Sequence, residues 1–303
     1  MRGISRRAFL KTASASAACA ALWNGVPRLM ADPLGLPLGL QLYSVRDILP
    51  KDYDGTLKQL SAIGYREVEA AGFFGRTPAQ VKLAMDQAGL HCVSAHYPLV
   101  QLLPKVDETI QFGKDLGLDY IVCAAPGLKD ASGVKAPASR AARESMTLDD
   151  WRWNAEQFNR IGERVHAAGM KFAYHNHTPE FRSENGVMFY DELLRSTDPS
   201  KVAMELDCGW AIVAGQNPVN LLTRYPARIS MLHVKDFKIT AAVTPANAPP
   251  STELGRGTID YRPIFEAAKK AKIEHAFVEQ EEFDMPAMEA LKVDADYMRA
   301  LKV

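Results

Sequence analysis

Residues 202–210 read Val-Ala-Met-Glu-Leu-Asp-Cys-Gly-Trp. The run is short and largely apolar, yet it carries an acid near its end, at Asp207. A charge on such a run is costly unless it is paired or bound to a cation. The next two runs repeat the pattern. Residues 229–235, Ile-Ser-Met-Leu-His-Val-Lys, carry His233, and residues 276–281, Ala-Phe-Val-Glu-Gln-Glu, carry Glu279. Five similar runs precede them, at 39–44, 67–70, 91–96, 120–125 and 171–176. Most are continuously apolar, as expected of parallel strands covered on both faces.

Amphipathic stretches at helical spacing separate the runs, including 56–63, 78–88, 151–168 and 285–301. Thr147 opens one with Asp149 and Asp150 in its first turn, where negative charge suits the helix dipole. Asn217-Pro218 and Asp260 open two more. Eight strand–helix units in one chain predict a closed (β/α)8 TIM barrel, a single α/β domain over 36–303. An open doubly wound sheet would usually carry a Gly-rich turn after the first strand, and Tyr43-Ser44-Val45-Arg46 is none. Two connections are long, 126–146 and 238–258. In a barrel, loops that follow strands crown the active face, so both are expected to act as lids.

Among the 303 residues, 36 basic side chains balance 36 acidic ones, so no basic surplus argues for a nucleic-acid partner. Ser5-Arg6-Arg7-Ala8-Phe9-Leu10-Lys11 matches a twin-arginine export signal. The apolar stretch 12–23 that follows is too short to span a membrane. Residues 1–31 are therefore expected to be a signal peptide cut near Ala31. The twin-arginine machinery would deliver the protein to the periplasm already folded and loaded with metal. Cys92, Cys123 and Cys208 sit in or beside apolar runs and are expected to be free buried thiols.

Barrel enzymes place their chemistry at the C-terminal ends of the strands. Asp207, His233 and Glu279 end three successive runs there, and Glu180 lies just past the run before them. Three carboxylates and an imidazole make a hard donor set. That set favours Mn²⁺, Mg²⁺ or Co²⁺ and is also compatible with Zn²⁺. Gln41, Glu69, His96, His175, His177 and Lys235 stand at or near the same rim and are candidates for substrate contact. Trp210 could stack on a sugar face.

The segments LGLQLYSVRD (38–47), YHNHTPEF (174–181), ELDCGWAIVAGQNP (205–218), LHVKDF (232–237), ELGRGTIDY (253–261) and FVEQE (277–281) resemble the sugar phosphate isomerase/epimerase family of xylose-isomerase-like barrels. The resemblance implies a divalent metal held by Glu, Asp, His and Glu from strands five to eight. The last three map onto Asp207, His233 and Glu279. Two positions depart from the pattern: His175 stands where strand five carries the first Glu, leaving His175 or Glu180 as first ligand, and Trp210 stands where a His is common. By resemblance, Glu180 and Glu279 would be acid and base on opposite faces of the substrate.

The implied reaction is isomerisation or epimerisation by proton transfer next to a carbonyl. Export favours a carbohydrate that is not phosphorylated. The alternative on the same site is a 3-keto-glycoside lyase that eliminates the aglycone; a third reading is a non-catalytic sugar-binding protein. A repair endonuclease would need many more His ligands than the seven in this chain. Barrels of this kind often form dimers or tetramers. Replacing Arg6 and Arg7 together by Lys should hold the protein in the cytoplasm, read by fractionation; normal export of that variant would contradict the signal.

Overall fold

The structure, a computed structural model, describes residues 31–130, 133–239 and 249–303. Apart from Ala31, the expected signal peptide lies outside these residues. Eight parallel strands close into a barrel: β1 (Gly39–Gln41), β2 (Glu67–Ala70), β3 (His91–Pro98), β4 (Tyr120–Ala125), β5 (Lys171–His175), β6 (Ala203–Asp207), β7 (Ile229–Val234) and β8 (His275–Val278). β1 pairs with β2 on one side and β8 on the other, which completes the ring. Each of the eight apolar runs is thus a strand. β1 is shorter than the run suggests. The Gln41 side chain accepts the Tyr43 N–H at 2.9 Å and caps a 3-10 turn over Leu42–Val45, which ends the strand early.

Helices cover the outside, and their ends follow local chemistry. Thr77 and Gln80 form a capping box for Pro78–Ala88, and Thr147 and Asp150 form one for Leu148–Ala167. Helices Val106–Leu116 and Phe189–Ser196 supply crossovers that the sequence reading did not single out. The main core lies between strands and helices, with Trp151, Phe158, Phe172 and Tyr174 fully buried. A second, smaller cluster (Val93, Tyr120, Val122, Ala173, Met231 and Phe277) fills the lower barrel interior. Cys92, Cys123 and Cys208 are free and buried, as expected.

Two glycines set the backbone near the C-terminal face. A side chain at Gly209 would come within 2.7 Å of the Lys235 carbonyl, so only glycine lets Cys208–Val213 pack on the end of β7. A side chain at Gly257 would collide with the Asp236 carboxylate. That carboxylate accepts four backbone N–H groups: Phe237 at 2.8 Å, Gly255 at 3.0 Å, and Gly257 and Ile259 at 3.1 Å each. It pins the far end of the second long connection. Ser251 Oγ accepts the Glu281 N–H at 2.8 Å and ties that segment to the chain leaving β8.

Asp294, on helix Ala287–Ala300, accepts the Leu254 N–H at 2.7 Å. Burial, with Glu253 and Asp236 nearby, lifts its pKa to about 8. The unfolded value is roughly 4, so the folded state holds the proton more tightly. This contribution to stability is complete below about pH 4 and is lost as pH rises to about 8. Asp294→Asn should therefore stabilise the protein at pH 8 by roughly 1–3 kcal/mol and change little at pH 4. Thermal melts at both values check this; an equal shift at both would contradict it.

Candidate active site

The upper half of the barrel interior is polar. Gln41, Glu69, Ser94, His175, Glu205, Asp207 and His233 are all buried there, at positions where barrels usually place branched apolar residues. Strand alternation explains the set: Ala173 and His175 share a face of β5, Glu205 and Asp207 of β6, and Met231 and His233 of β7. The register sets His175 beside Glu205 and Asp207 beside His233.

His233 is the hub. Its Nδ1 lies 2.9 Å from Glu279 Oε2 and 4.0 Å from Asp207 Oδ2. Its Nε2 lies 2.8 Å from Glu69 Oε1 and 3.4 Å from Glu205 Oε2. Glu69 is itself fixed, accepting from Gln41 Nε2 and from Ser94 Oγ at 2.7 Å each. His96 Nε2 sits 2.7 Å from both Glu69 and Glu205, and His175 Nδ1 sits 3.0 Å from Glu205. Burial opposes charge on His96, but Glu69 and Glu205 outweigh it and raise the imidazole to about 9. Burial also opposes charge on His233, and Glu205, Glu279 and Glu69 again prevail. His175 goes the other way, lowered by burial and by His233.

Lys235 Nζ lies 2.5 Å from Glu281, 2.8 Å from Glu279 and 3.4 Å from Asp207, and 4.9 Å above the Trp210 ring. Burial disfavours the ammonium, yet Asp207, Glu279 and Glu281 hold its pKa well above the usual lysine range. Asp207 Oδ1 accepts the Trp210 N–H at 2.7 Å, while Oδ2 is buried and accepts no hydrogen bond among the described residues, with the Lys235 ammonium 3.4 Å away.

Among the described residues, two sets of donor atoms converge closely enough to hold a metal ion: Asp207, His233 and Glu279; and His96, His175, Glu205 and His233. They share His233, one ring nitrogen facing each set. This is the arrangement expected of a metal-binding imidazole whose other nitrogen is held by an outer carboxylate, here Glu69. The donors fit a divalent cation on two grounds. Asp207 Oδ2 lacks a hydrogen bond among the described residues, and the Lys235 ammonium already lies where the buried carboxylates demand positive charge.

The structure does not bring Glu180 to either set. Tyr174 O–H donates to its Oε1 at 2.5 Å and the His177 N–H donates to its Oε2 at 3.0 Å, so both oxygens are already engaged. Burial raises its pKa. The strand-five position in the cluster is His175. Gln41 and Glu69 are also displaced from their expected role: both are fully buried and brace His233 rather than face the cavity. Lys235 is buried within its ion pairs and likewise does not line the cavity. His96, His175, His177 and Trp210 do line it, together with Glu279. The cavity measures about 440 Å³, in the usual range for small-molecule sites. His177 Nδ1 is buried without a partner among the described residues, and burial holds this imidazole neutral, its pKa well below the usual range.

The sequence reading missed Glu205, Arg143 and Glu144. Glu205 was legible from alternation, two residues before Asp207 on the same face. Arg143 and Glu144 come from helix Arg140–Glu144, inside the first long connection, and line the cavity.

A metal-binding cluster at the C-terminal end of a closed parallel barrel defines the class. The chain belongs to the xylose isomerase-like TIM barrel family, whose model matches residues 57–301. It is similar to an inosose dehydratase of Lacticaseibacillus casei, 25% identical over 236 residues that make up 72% of this chain and 78% of that one. Among solved structures it is similar to a sugar phosphate isomerase/epimerase from Parabacteroides distasonis, with 27% identity, a TM-score of 0.68, and coverage of 87% of this chain and 93% of that one. The zinc-containing IolI protein shares the fold, with a TM-score of 0.67, 12% identity, and coverage of 86% of this chain and 95% of that one. Asp207→Ala and His233→Ala should each cut the manganese retained after reconstitution at least tenfold, whereas Glu180→Gln should keep it. Elemental analysis reads this directly; full metal in the first two variants would contradict the cluster.

Proposed function

We propose that this protein is a metal-dependent lyase that removes water or an alcohol from a non-phosphorylated keto-carbohydrate, acting in the periplasm after twin-arginine export. One observation carries the reading. The sequence resemblance called for two opposed glutamates, which suits proton exchange at a single carbon, but Glu180 is engaged by Tyr174 and His177. Two groups at the cavity are unlike each other: a neutral imidazole at His177, which lines it, and a protonated amine at Lys235, which reaches it through Glu281. A base and an acid of different kinds suit elimination, in which one proton is taken and another given elsewhere. The similarity to inosose dehydratases supports the same class of reaction.

The metal would be held by Asp207, His233 and Glu279, with His175 as a fourth donor; manganese is preferred, and magnesium, cobalt and zinc suit the donors as well. Bound there, it would polarise the substrate carbonyl and stabilise negative charge next to it. His177 takes the proton from the carbon beside the carbonyl. The electron pair forms a carbon–carbon double bond, and the bond to the β-oxygen breaks. A proton passes from Lys235 through Glu281, which lines the cavity 2.5 Å from it, to that oxygen, which leaves as water or alcohol. Glu69 and Glu205 hold His233 and His175 in place, and Trp210 offers an apolar face to the ring. Epimerisation or isomerisation is the second reading, favoured by the Parabacteroides likeness and by the same first step.

NMR of the manganese-loaded enzyme in D₂O, followed by EDTA quench, separates the two. Inosose, 3-keto-glucosides and free ketoses form the panel. Elimination predicts an unsaturated or diketo product, a rate roughly 10²–10⁴-fold lower in His177→Ala, and a Glu180→Gln variant within about tenfold of the parent. Recovered sugar with inverted or shifted stereochemistry, deuterium at the carbon beside the carbonyl, and an inactive Glu180→Gln would establish the isomerase instead.

A further inference from the structure

The cavity wall includes an insertion that the reaction above does not use. Helix Arg140–Glu144 follows β4, and Ser139 Oγ caps it by accepting the Ala142 N–H at 3.1 Å. Thr178 Oγ1 donates to Glu144 Oε1 at 3.1 Å, which anchors the helix to the loop leaving β5. Both Arg143 and Glu144 line the cavity. Arg143 Nε and Glu144 Oε2 are each buried, and neither has a hydrogen-bond partner among the described residues. A buried donor and a buried acceptor left unmet are costly, and such groups in folded proteins usually await a ligand or an ordered water.

Which ligand group fits follows from the two charges. A phosphate or carboxylate accepts hydrogen bonds but has none to give. It would satisfy Arg143 and be repelled by Glu144, and by Glu279 and Glu281 across the same cavity. A hydroxyl both accepts and donates. Two neighbouring hydroxyls can take the Arg143 N–H on one oxygen and give a proton to Glu144 from the other, with no net charge brought in.

We infer that Arg143 and Glu144 form a specificity clamp that reads a vicinal diol of a neutral polyhydroxylated ring and selects against phosphorylated or carboxylated analogues. This rests on the carbohydrate reading of the site proposed above and adds the substrate class: uncharged cyclic polyols and their ketones. The clamp acts on binding. Its loss should raise KM far more than it lowers kcat, whereas loss of His177 should do the reverse.

Calorimetry on the manganese-loaded protein tests it, with myo-inositol, the monodeoxy-inositols, inositol 1-phosphate and glucuronate as probes. Arg143→Met and Glu144→Gln should each weaken myo-inositol binding roughly tenfold or more at unchanged metal content and melting temperature. The deoxy-inositol that lacks the hydroxyl read by one of the two residues should bind the parent that much more weakly, lose nothing further when that residue is replaced, and still lose affinity when the other is. Glu144→Gln should also narrow the gap between neutral and anionic probes. Parent-like myo-inositol affinity in both variants, tighter parent binding of the anions, or no binding of any neutral polyol would overturn the clamp. These outcomes are read without turnover. A clamp that survives while no keto-sugar is converted would refute the proposed reaction alone, and turnover with unchanged KM in both variants would refute the clamp alone.

Discussion

The structure turns on buried charge. Four carboxyl groups, Glu69, Glu205, Asp207 and Glu279, lie within the barrel mouth with little or no exposure. Three basic groups, His96, His233 and Lys235, face them, and the carboxylates raise the pKa of each. Removing such charges from water costs several kcal/mol each unless they are well paired. A barrel interior filled with apolar residues would be the simpler solution, and the lower half of this one is built that way. The upper half is consistent with a site that must place charge against a metal and a polar substrate.

That constraint orders the rest of the site. His233 can present one nitrogen to Asp207 and Glu279 only because Glu69 holds the other, and Glu69 can do so only because Gln41 and Ser94 occupy its remaining lone pairs. His96 bridges Glu69 and Glu205, so the two outer carboxylates share one cation. Gly209 and Asp236 position the ends of β6 and β7 from outside. The side chains nearest the cavity are therefore supported by strands on every side, as a preorganised site requires.

Much of this was legible in the sequence. Parallel strands buried on both faces read as apolar runs, so all eight strands appeared near their true bounds, and the ionisable residues that interrupt those runs marked Asp207, His233 and Glu279. What the sequence obscured was direction. Glu180 has the right chemistry and almost the right position, but the chain turns after His175, and Tyr174 and the His177 amide draw its carboxylate away. Gln41 and Glu69 were visible as rim residues, yet their partners lie 28 and 25 residues or more along the chain, and no local pattern shows them bracing an imidazole. Arg143 and Glu144 sit in a connection with no periodicity, where only length hinted at a role.

The account stands on a cation binding among Asp207, His233 and Glu279. A crystal of the manganese-soaked protein, measured for anomalous scattering at the manganese edge, addresses that most directly. The account predicts one strong anomalous peak within coordinating distance of Asp207 Oδ2, His233 Nδ1 and Glu279, with the Lys235 ammonium drawn back from them. A map without a peak there, with Lys235 still bound between the carboxylates, would contradict it.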